Sequence, residues 1–335
     1  MSTVATPVEL RQFGIALETT RGTVAAAPTR FLSALKDSNL DFATKLLKDP
    51  ALRGYNAAFP SFAGAQEAKG PFKSPARASS LNELLKMALG APTTTEPQVG
   101  AWQHVYTQGQ PNPPQLPSYT FFINRQFADA SGNKVKAYNL GSLTKLKFSG
   151  KDDSPVEVEA SLMAQQEATY AGAWTPVYAE SPALMFSQTV VKVAGAAAAV
   201  PNVKEWSVEI DPGVKPFRPL SSAQYPSDFL AAGPYMVKGD MTIYFMTEAE
   251  RNKFITDTMT SLEFITTGGA VGATVANYTL DLLMPNVEYD AYPFGDEDGF
   301  LGAKVKWNAP GQITAGAYVP IITATVINAN APGSF

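Results

Sequence analysis

Acidic side chains form the groups most able to do chemistry in this sequence. The densest is Asp296, Glu297 and Asp298, which lies between Phe294 and Phe300. Carboxylate oxygens bind Ca²⁺, but a calcium-binding loop needs ligands at alternating positions and a terminal glutamate, which this stretch lacks. A solvated acidic turn between two strands is therefore favoured. The two phenylalanines are expected to anchor this turn in a core or an interface.

A second acidic group comprises Asp152, Asp153, Glu157 and Glu159. Two carboxylates are the catalytic pair of glycoside hydrolases, where they face each other across the substrate. Such pairs also need surroundings that push their pKa values apart. These four residues instead share one short stretch with nearby lysines, so a solvated or interfacial surface is favoured over catalysis.

His104 is the single histidine of the chain and lies in a stretch rich in proline and glutamine. One histidine disfavours a histidine-based metal site, and no Ser-His-Asp grouping can be built around it. Dinucleotide-binding and phosphate-binding glycine patterns are also missing from the sequence. We therefore expect no catalytic residue, no cofactor, no metal and no enzymatic activity. His104 and the group Asp296, Glu297 and Asp298 remain candidates for interface loops.

Composition favours a soluble protein made mostly of strands. The 335 residues are 45% hydrophobic and 17% charged, and 25 glycines and 26 prolines are spread along the chain, which suits short strands and turns. The net charge of -4 argues against a dominant basic surface for nucleic acid. The chain lacks cysteine, and residues 1–11 lack the apolar run of a secretory signal, so synthesis in the cytosol and no membrane association are expected.

The clearest element is a β-hairpin predicted from Leu143 to Met163, where two alternating runs flank a polar turn. The predicted inward positions are Leu146, Phe148, Val156 and Val158. The predicted outward positions are Lys145 and Lys147 on one strand and Glu157 and Glu159 on the other. Cross-strand charge pairs would then help to fix the register of this hairpin.

Several features recur later in the chain. Lys304–Asn308 and Ile321–Ile327 predict a second hairpin, and short helices are predicted at Ser79–Leu89 and Thr247–Met259. Tyr119 precedes Tyr278 by the same number of residues as Lys145 precedes Lys304. The recurrence indicates one module present twice.

The predicted fold class is therefore mainly β, with two tandem β-sandwich or barrel domains that each carry one short α-helix. The predicted boundaries are an N-terminal segment at 1–30, a first domain at 31–166, a linker at 167–183 and a second domain at 184–335. Two irregular polar stretches, 91–117 and 216–234, are predicted to be loops that contact partners.

The stretch from Gly14 to Thr23 reads Gly-Ile-Ala-Leu-Glu-Thr-Thr-Arg-Gly-Thr. With the helix between strands and the recurring hairpins, it resembles the opening of the major tail tube proteins of bacteriophages with long non-contractile tails. The resemblance implies a β-sandwich protomer, six tube domains closed into a ring, and rings stacked into a hollow tail tube that conducts genomic DNA during ejection. It also implies a virion location and contacts with a tape-measure protein and a tail terminator.

Two domains per chain then imply that three chains close a ring with pseudo-six-fold symmetry. Asp152, Asp153, Glu157 and Glu159 are expected on the lumen or the inter-ring side, and DNA is expected to pass without tight binding. The alternative is a β-sandwich attachment or carbohydrate-binding module, or a capsid decoration protein.

Overall fold

The structure is a computed structural model that describes residues 11–48, 61–108, 115–126, 133–194, 202–220, 223–244, 248, 251–252, 259–314 and 317–333. Most of these residues lie in strands, and one α-helix is complete within them. The first ten strands and the helix are β1 (Arg11–Leu17), β2 (Arg30–Leu32), β3 (Asp41–Leu47), β4 (Phe62–Pro75), α1 (Leu81–Leu89), β5 (Thr93–Gln98), β6 (Ala101–Thr107), β7 (Tyr119–Gln126), β8 (Asn133–Lys151), β9 (Glu157–Ala164) and β10 (Glu167–Thr169). The others are β11 (Thr189–Val193), β12 (Val203–Asp211), β13 (Val214–Phe217), β14 (Asp228–Ala231), β15 (Met236–Tyr244), β16 (Thr260–Ala270), β17 (Asn277–Ala291), β18 (Phe294–Glu297), β19 (Phe300–Ala309), β20 (Gln312–Thr314), β21 (Ala317–Val319) and β22 (Thr323–Asn328).

Eighteen of the strands form one hydrogen-bonded network, which can be described as three sheets. The long sheet runs β3-β4-β9-β8-β12-β15-β19, with the end of β17 and then β18 beside β19. A first covering sheet runs β2-β1-β7-β8-β10. A second covering sheet runs β11-β16-β17-β22-β6-β5. The long strands β8 and β17 each begin in a covering sheet and end in the long sheet.

The core lies between the long sheet and the two covering sheets. Strand alternation gives the long sheet one apolar face, and its side chains pack with the covering sheets and α1 in one cluster. Trp307 and Phe148 are among its largest fully buried members. The other face of the long sheet is left polar, because successive residues of a strand point to opposite sides.

The predicted mainly β fold and the predicted hairpin from Leu143 to Met163 are confirmed. Strands β8 and β9 pair with Lys147 opposite Glu159, and a bulge separates Leu143 from Lys145. All four predicted inward side chains are fully buried. The helix predicted from Ser79 is also confirmed, and Gly90 ends it with a φ of 93°.

The predicted second hairpin is wrong. Strand β19 pairs with β15, β17 and β18, whereas β22 pairs with β17 and β6. Period-2 alternation specifies which face of a strand is buried but not which strand lies beside it. Two well-patterned strands that follow each other in sequence were therefore assigned to one hairpin although their neighbours are distant in sequence.

The predicted loop at 91–117 is also wrong in its first part, because β5 and β6 form a hairpin there. The threonines of β5 are polar and mostly exposed, which suggested a loop, but threonine is a β-branched residue that is common in strands. Strand β10 lies inside the predicted linker, and the paired strands β13 and β14 border or enter the stretch 216–234. The predicted helix Thr247–Met259 lies for the most part outside the described residues.

One order of strand pairing occurs in two parts of the chain. In the first part β3-β4-β9-β8 pair in the long sheet and β1-β7-β8-β10 in the covering sheet. In the second part β12-β15-β19-β17 and β11-β16-β17-β22 pair in the same ways. Both parts place a Lys-Gly pair, Lys69-Gly70 and Lys238-Gly239, beside a carboxylate of the neighbouring strand, Asp41 and Glu209 respectively. This order aligns β7 with β16 and β8 with β17, rather than β7 with the Tyr278 strand.

Candidate functional site: the charged face and the open edges

The polar face of the long sheet, here called the charged face, carries a row of alternating charges. The charged row consists of Lys73, Glu159, Lys147, Glu209, Lys238, Asn308 and Glu288, each directly opposite the next on the adjacent strand. It crosses the sheet from β4 to β17, perpendicular to the strands. Three lysines and three carboxylates alternate along it, so the row has no net charge.

Ion pairs link neighbours within and beside the charged row. Glu209 lies 3.0 Å from the Nζ of Lys145 and 3.5 Å from that of Lys238, and Glu159 lies 3.7 Å from Lys73. Partial burial acts to raise the pKa of Glu209, but the hydrogen bond and charge of Lys145, with Lys238, outweigh it and hold that pKa below its ordinary value. Glu209 is therefore ionised at neutral pH.

Two shallow depressions of about 400 and 250 Å³ lie on the charged face. Both are lined by Lys147, Ser207 and Asp240. Asp240 accepts a hydrogen bond from Ser207 and lies 3.7 Å from Lys304. Lysines and carboxylates mix in both depressions, which favours no ligand of one charge.

The long sheet has two open edges among the described residues. Strand β3 pairs only with β4, and β18 pairs only with β19. Large apolar side chains are exposed beside both edges. They are Leu46, Leu47 and Phe62 near β3, and Phe294, Phe300 and Leu301 near β18. Unpaired strand edges with exposed apolar residues are surfaces for pairing with another chain.

The two repeated parts of the chain are connected by one pair of strands in the long sheet. Strand β8 of the first repeated part pairs with β12 of the second, from Leu146 opposite Ile210 to Lys151 opposite Glu205. We call this pairing the internal joint. It makes the strands of the two parts into one continuous sheet.

The structure places the four acidic residues predicted on the first hairpin on two surfaces. Glu157 and Glu159 lie in β9, on the charged face. Asp152 and Asp153 lie in the exposed turn that follows β8, at the rim of the long sheet, where the Asp153 N–H donates to Asp152 Oδ1 at 3.0 Å. A face and a rim are different contact surfaces, so the four residues cannot act as one group.

The turn at Asp296, Glu297 and Asp298 lies at the same rim. Asp298 and Gly299, with φ of 55° and 84°, form a two-residue hairpin turn between β18 and β19. Lys204 pairs with Glu297 at 3.0 Å and with Asp298 at 2.7 Å. The hydrogen bond and charge of Lys204 hold the pKa of Asp298 below its ordinary value.

The phenylalanines that flank this turn do not anchor it in the core. Phe294 is 44% exposed and Phe300 is 67% exposed. Phe300 contacts Tyr244 edge to face, with ring centroids 5.8 Å apart, and the guanidinium of Arg251 lies 5.6 Å from the Phe294 ring. Both rings are therefore available at the open edge, which leaves an interface role as the remaining expectation.

His104 does not lie in a loop, as its sequence context predicted. It lies in β6 with its side chain fully buried. Its Nε2 is 3.0 Å from the Asn330 carbonyl oxygen and its Nδ1 is 2.9 Å from Thr94 Oγ1. Nε2 must carry the proton because a carbonyl only accepts, so Nδ1 accepts from the Thr94 hydroxyl. Burial also lowers the pKa of His104. Because its side chain is not exposed, His104 is no longer a candidate interface residue.

The contacts of Glu18 give a structural reason for the Glu-Thr-Thr-Arg-Gly spacing at 18–22. Its carboxylate accepts hydrogen bonds from the Gly22 and Leu140 N–H groups, both at 2.7 Å, and from the Ser118 and Thr120 hydroxyls at 2.6 and 3.1 Å. Gly22 has a φ of 80°, which brings its N–H back toward Glu18. The segment is a structural clamp rather than a binding site.

Arg21 extends this clamp to the second repeated part. Its guanidinium donates to the Leu116 carbonyl at 2.7 Å, to Asp228 Oδ1 at 2.8 Å and to the Phe229 carbonyl at 2.7 Å. The β13-β14 hairpin is thereby held against the first part, and Phe229 is buried there beside Leu140.

Glu83 is a buried carboxylate whose pKa is strongly raised. It lies in α1, 2% exposed, with Oε1 2.9 Å from the Nε of Arg30. Burial raises the pKa of Glu83 to about 7, although the charge of Arg30 opposes this.

The pH dependence of stability tests this perturbation. Because the folded pKa lies above the unfolded value, the stabilising contribution is complete below the unfolded pKa and is lost as pH rises through about 7. The free energy of unfolding of the wild type, minus that of Glu83→Gln, is expected to fall by roughly 3 kcal/mol between about pH 4 and pH 8. Urea unfolding of both proteins at the two pH values measures it. A difference that stays constant would contradict the raised pKa.

Within the described part of the chain, no helix is long and apolar enough to cross a membrane, and no three acidic or histidine side chains are grouped as metal ligands. What the geometry offers is a long sheet with one polar face and two open edges. A family model described as phage tail tube protein matches residues 10–323. The chain belongs to the phage tail tube protein family. This tail tube protein is therefore a structural protein of the phage tail, from a family whose members associate into a tube. A search of curated proteins finds no match to it.

Proposed function

We propose that three copies of this tail tube protein close into a ring by repeating the internal joint between chains, and that stacked rings form the hollow tube through which genomic DNA is ejected. The observation that carries the proposal is the repeated order of strand pairing, which leaves an open edge at each end of the long sheet. The two repeated parts are then two tube modules. Six such modules, from three chains, complete a ring with pseudo-six-fold symmetry.

The repeat defines which edges meet. The internal joint pairs β8 with β12. In the repeat, β8 of the first part corresponds to β17 followed by β18 in the second part. Strand β12 of the second part corresponds to β3 in the first part. We therefore propose that β17 and β18 of one chain pair with β3 of the next. Closing both edges of the long sheet in this way removes the exposed strands β3 and β18, which otherwise promote uncontrolled association.

The repeat also supplies a register for this pairing. Lys69 is opposite Asp41, and Lys238 is opposite Glu209, so Asp41 corresponds to Glu209. Both long strands have a bulge, after Leu143 in β8 and after Tyr289 in β17. Lys147 lies four residues after Leu143, and Pro293 lies four residues after Tyr289, so Pro293 is the counterpart of Lys147. Since Lys147 is opposite Glu209 in the internal joint, Pro293 of one chain is proposed to lie opposite Asp41 of the next.

In this ring the charged face lines the channel. The opposite face of the long sheet is covered by the two other sheets and α1, so it cannot be exposed to DNA. The acidic turns with Asp152 and Asp298 lie at one rim, and Leu46 and Phe62 lie toward the other. Rims of different chemistry suit head-to-tail stacking of rings. The tape-measure protein and the tail terminator are the further partners that this role implies.

Disulfide cross-linking tests the register, because the chain contains no cysteine of its own. Oxidised Pro293→Cys/Asp41→Cys protein is expected to give covalently linked chains up to a closed trimer, since directly opposed residues lie within disulfide range. The reading is non-reducing electrophoresis together with the mass of the native ring.

Two further variants serve as controls. Lys147→Cys/Glu209→Cys places cysteines at the same positions of the internal joint and is expected to cross-link within one chain. Pro293→Cys/Lys45→Cys shifts one cysteine by four residues, or about 13 Å along β3, and is expected not to link. Rings that fail to cross-link at Pro293 and Asp41 would refute the register, whereas rings of six chains would refute the trimer.

A further inference from the structure

The charged row places every one of its lysines beside a carboxylate on a neighbouring strand. Lys147 has Glu159 opposite on one side and Glu209 opposite on the other. Glu209 in turn lies between Lys147 and Lys238. The outer lysine of the row, Lys73, is directly opposite Glu159. The face therefore contains many cations but few that lack a nearby anion.

Affinity for DNA depends on cations that replace the counterions of the phosphates. A lysine between two carboxylates contributes little to such binding, because a phosphate that approached it would also meet the two anions. The overall charge of -4 does not by itself produce this effect, since a local cluster of lysines would still bind. What matters is the order of charges on the face.

We infer that Glu159 and Glu209 mask the lysines of the charged row and thereby keep this face from binding DNA. The inference rests on the proposed function, which turns the face toward the DNA channel. In this view DNA is not repelled by an acidic channel wall. Instead, individual glutamates neutralise the neighbouring lysines that would otherwise bind its phosphates. Glu209 is the central residue, because it contacts Lys145 and Lys238 and lies opposite Lys147.

DNA binding by a double variant tests the inference. In Glu159→Gln/Glu209→Gln the shapes of the side chains are kept and the row keeps its three lysines. Binding of a short fluorescent DNA duplex to the full chain is followed by anisotropy over a range of salt concentrations. The variant is expected to bind at least roughly tenfold more tightly than the wild type at low salt, with a salt dependence steeper by about 0.9 for each unmasked lysine.

The matched control has the same change in net charge elsewhere. Asp37→Asn/Glu96→Gln removes one exposed carboxylate in the turn between β2 and β3 and another exposed carboxylate in β5. This control is expected to bind DNA as the wild type does. Equal gains in the two double variants would overturn the inference, because net charge alone would then explain them.

Assembly is measured separately, by negative-stain images and ring mass. Variants that form normal tubes without gaining DNA affinity would overturn the masking role and leave the proposed tube intact. A wild-type chain that already binds DNA with a steep salt dependence would overturn it too. If the double variant does not fold, Glu209→Gln alone is expected to show a smaller gain of the same sign, and no gain would count against the inference.

Discussion

Replacing Gly239 with alanine is expected to destabilise the protein by about 3 kcal/mol, the upper end of the usual cost of overpacking. A methyl group there would lie under 3.0 Å from the Ser207 carbonyl oxygen of β12 and from the Trp307 ring of β19. The carbonyl belongs to the backbone of a paired strand, and Trp307 is fully buried, so neither neighbour can move away cheaply. Urea unfolding of Gly239→Ala measures the loss.

Gly70→Ala is expected to behave in the same way, because a methyl group there would overlap the Asn39 carbonyl oxygen and the Leu40 backbone. Gly269→Ala in β16 is the control, since nothing lies within 4 Å of its added methyl group, and its effect is expected to stay within about 0.5 kcal/mol. If Gly239→Ala and Gly269→Ala unfolded at the same urea concentration, the close approach of the strands at Gly239 would be refuted.

The matching behaviour of Gly70 and Gly239 shows what sequence reasoning reaches and where it stops. Both follow a lysine inside a strand pattern, and this likeness is visible in the sequence. The reason for the glycines is not visible there, because the atoms that exclude a side chain belong to other strands, at Asn39 and Ser207.

The hairpin from Leu143 to Met163 was predictable because both its strands alternate and its turn is short. Its burial and its register are local properties of one stretch. The partners of β19 and β22 were not predictable in this way, since strands with equal alternation fit several neighbours. The sequence therefore identified strands and their buried faces better than it identified the sheets.

The sequence analysis did not predict the charged row, although it identified two of its residues on the first hairpin. Only Lys147 and Glu159 belong to the predicted hairpin, and the other members come from β4, β12, β15, β17 and β19. Lys238 and Glu209 each stand on the polar side of an alternating strand, which is the one signal that sequence offers. Their alignment depends on strand order, so it follows from the fold.

The prediction for His104 was wrong because the composition of its surroundings suggested an exposed loop. Proline and glutamine nearby favoured a loop, but His104 and Tyr106 lie on the same side of β6, and both side chains are fully buried. One partner of His104 is the nearby Thr94 hydroxyl, but the other is the carbonyl of Asn330, which lies far along the chain. A buried histidine of this kind is a satisfied core residue.

The expected effect of Glu18→Gln is a loss of roughly 3 kcal/mol or more in the free energy of unfolding, because two buried donors lose their acceptor. The wild-type carboxylate has two oxygens that each accept two hydrogen bonds, and Glu18 is only 7% exposed. A glutamine of the same size turns an NH₂ group toward two donors, which leaves buried donors unpaired at about 1–3 kcal/mol each. Urea unfolding gives the difference.

Glu96→Gln provides the matched control, because Glu96 also accepts a backbone N–H, that of Gly100 at 2.9 Å, but from an exposed position in β5. Water can replace that bond, so the control is expected to change stability by less than about 0.5 kcal/mol. Equal effects of the two substitutions would mean that the four bonds to Glu18 add nothing beyond one exposed bond. A large loss confined to Glu18 would instead show that this carboxylate holds the N-terminal segment against β7 and β8, of which β8 leads from the first covering sheet into the long sheet.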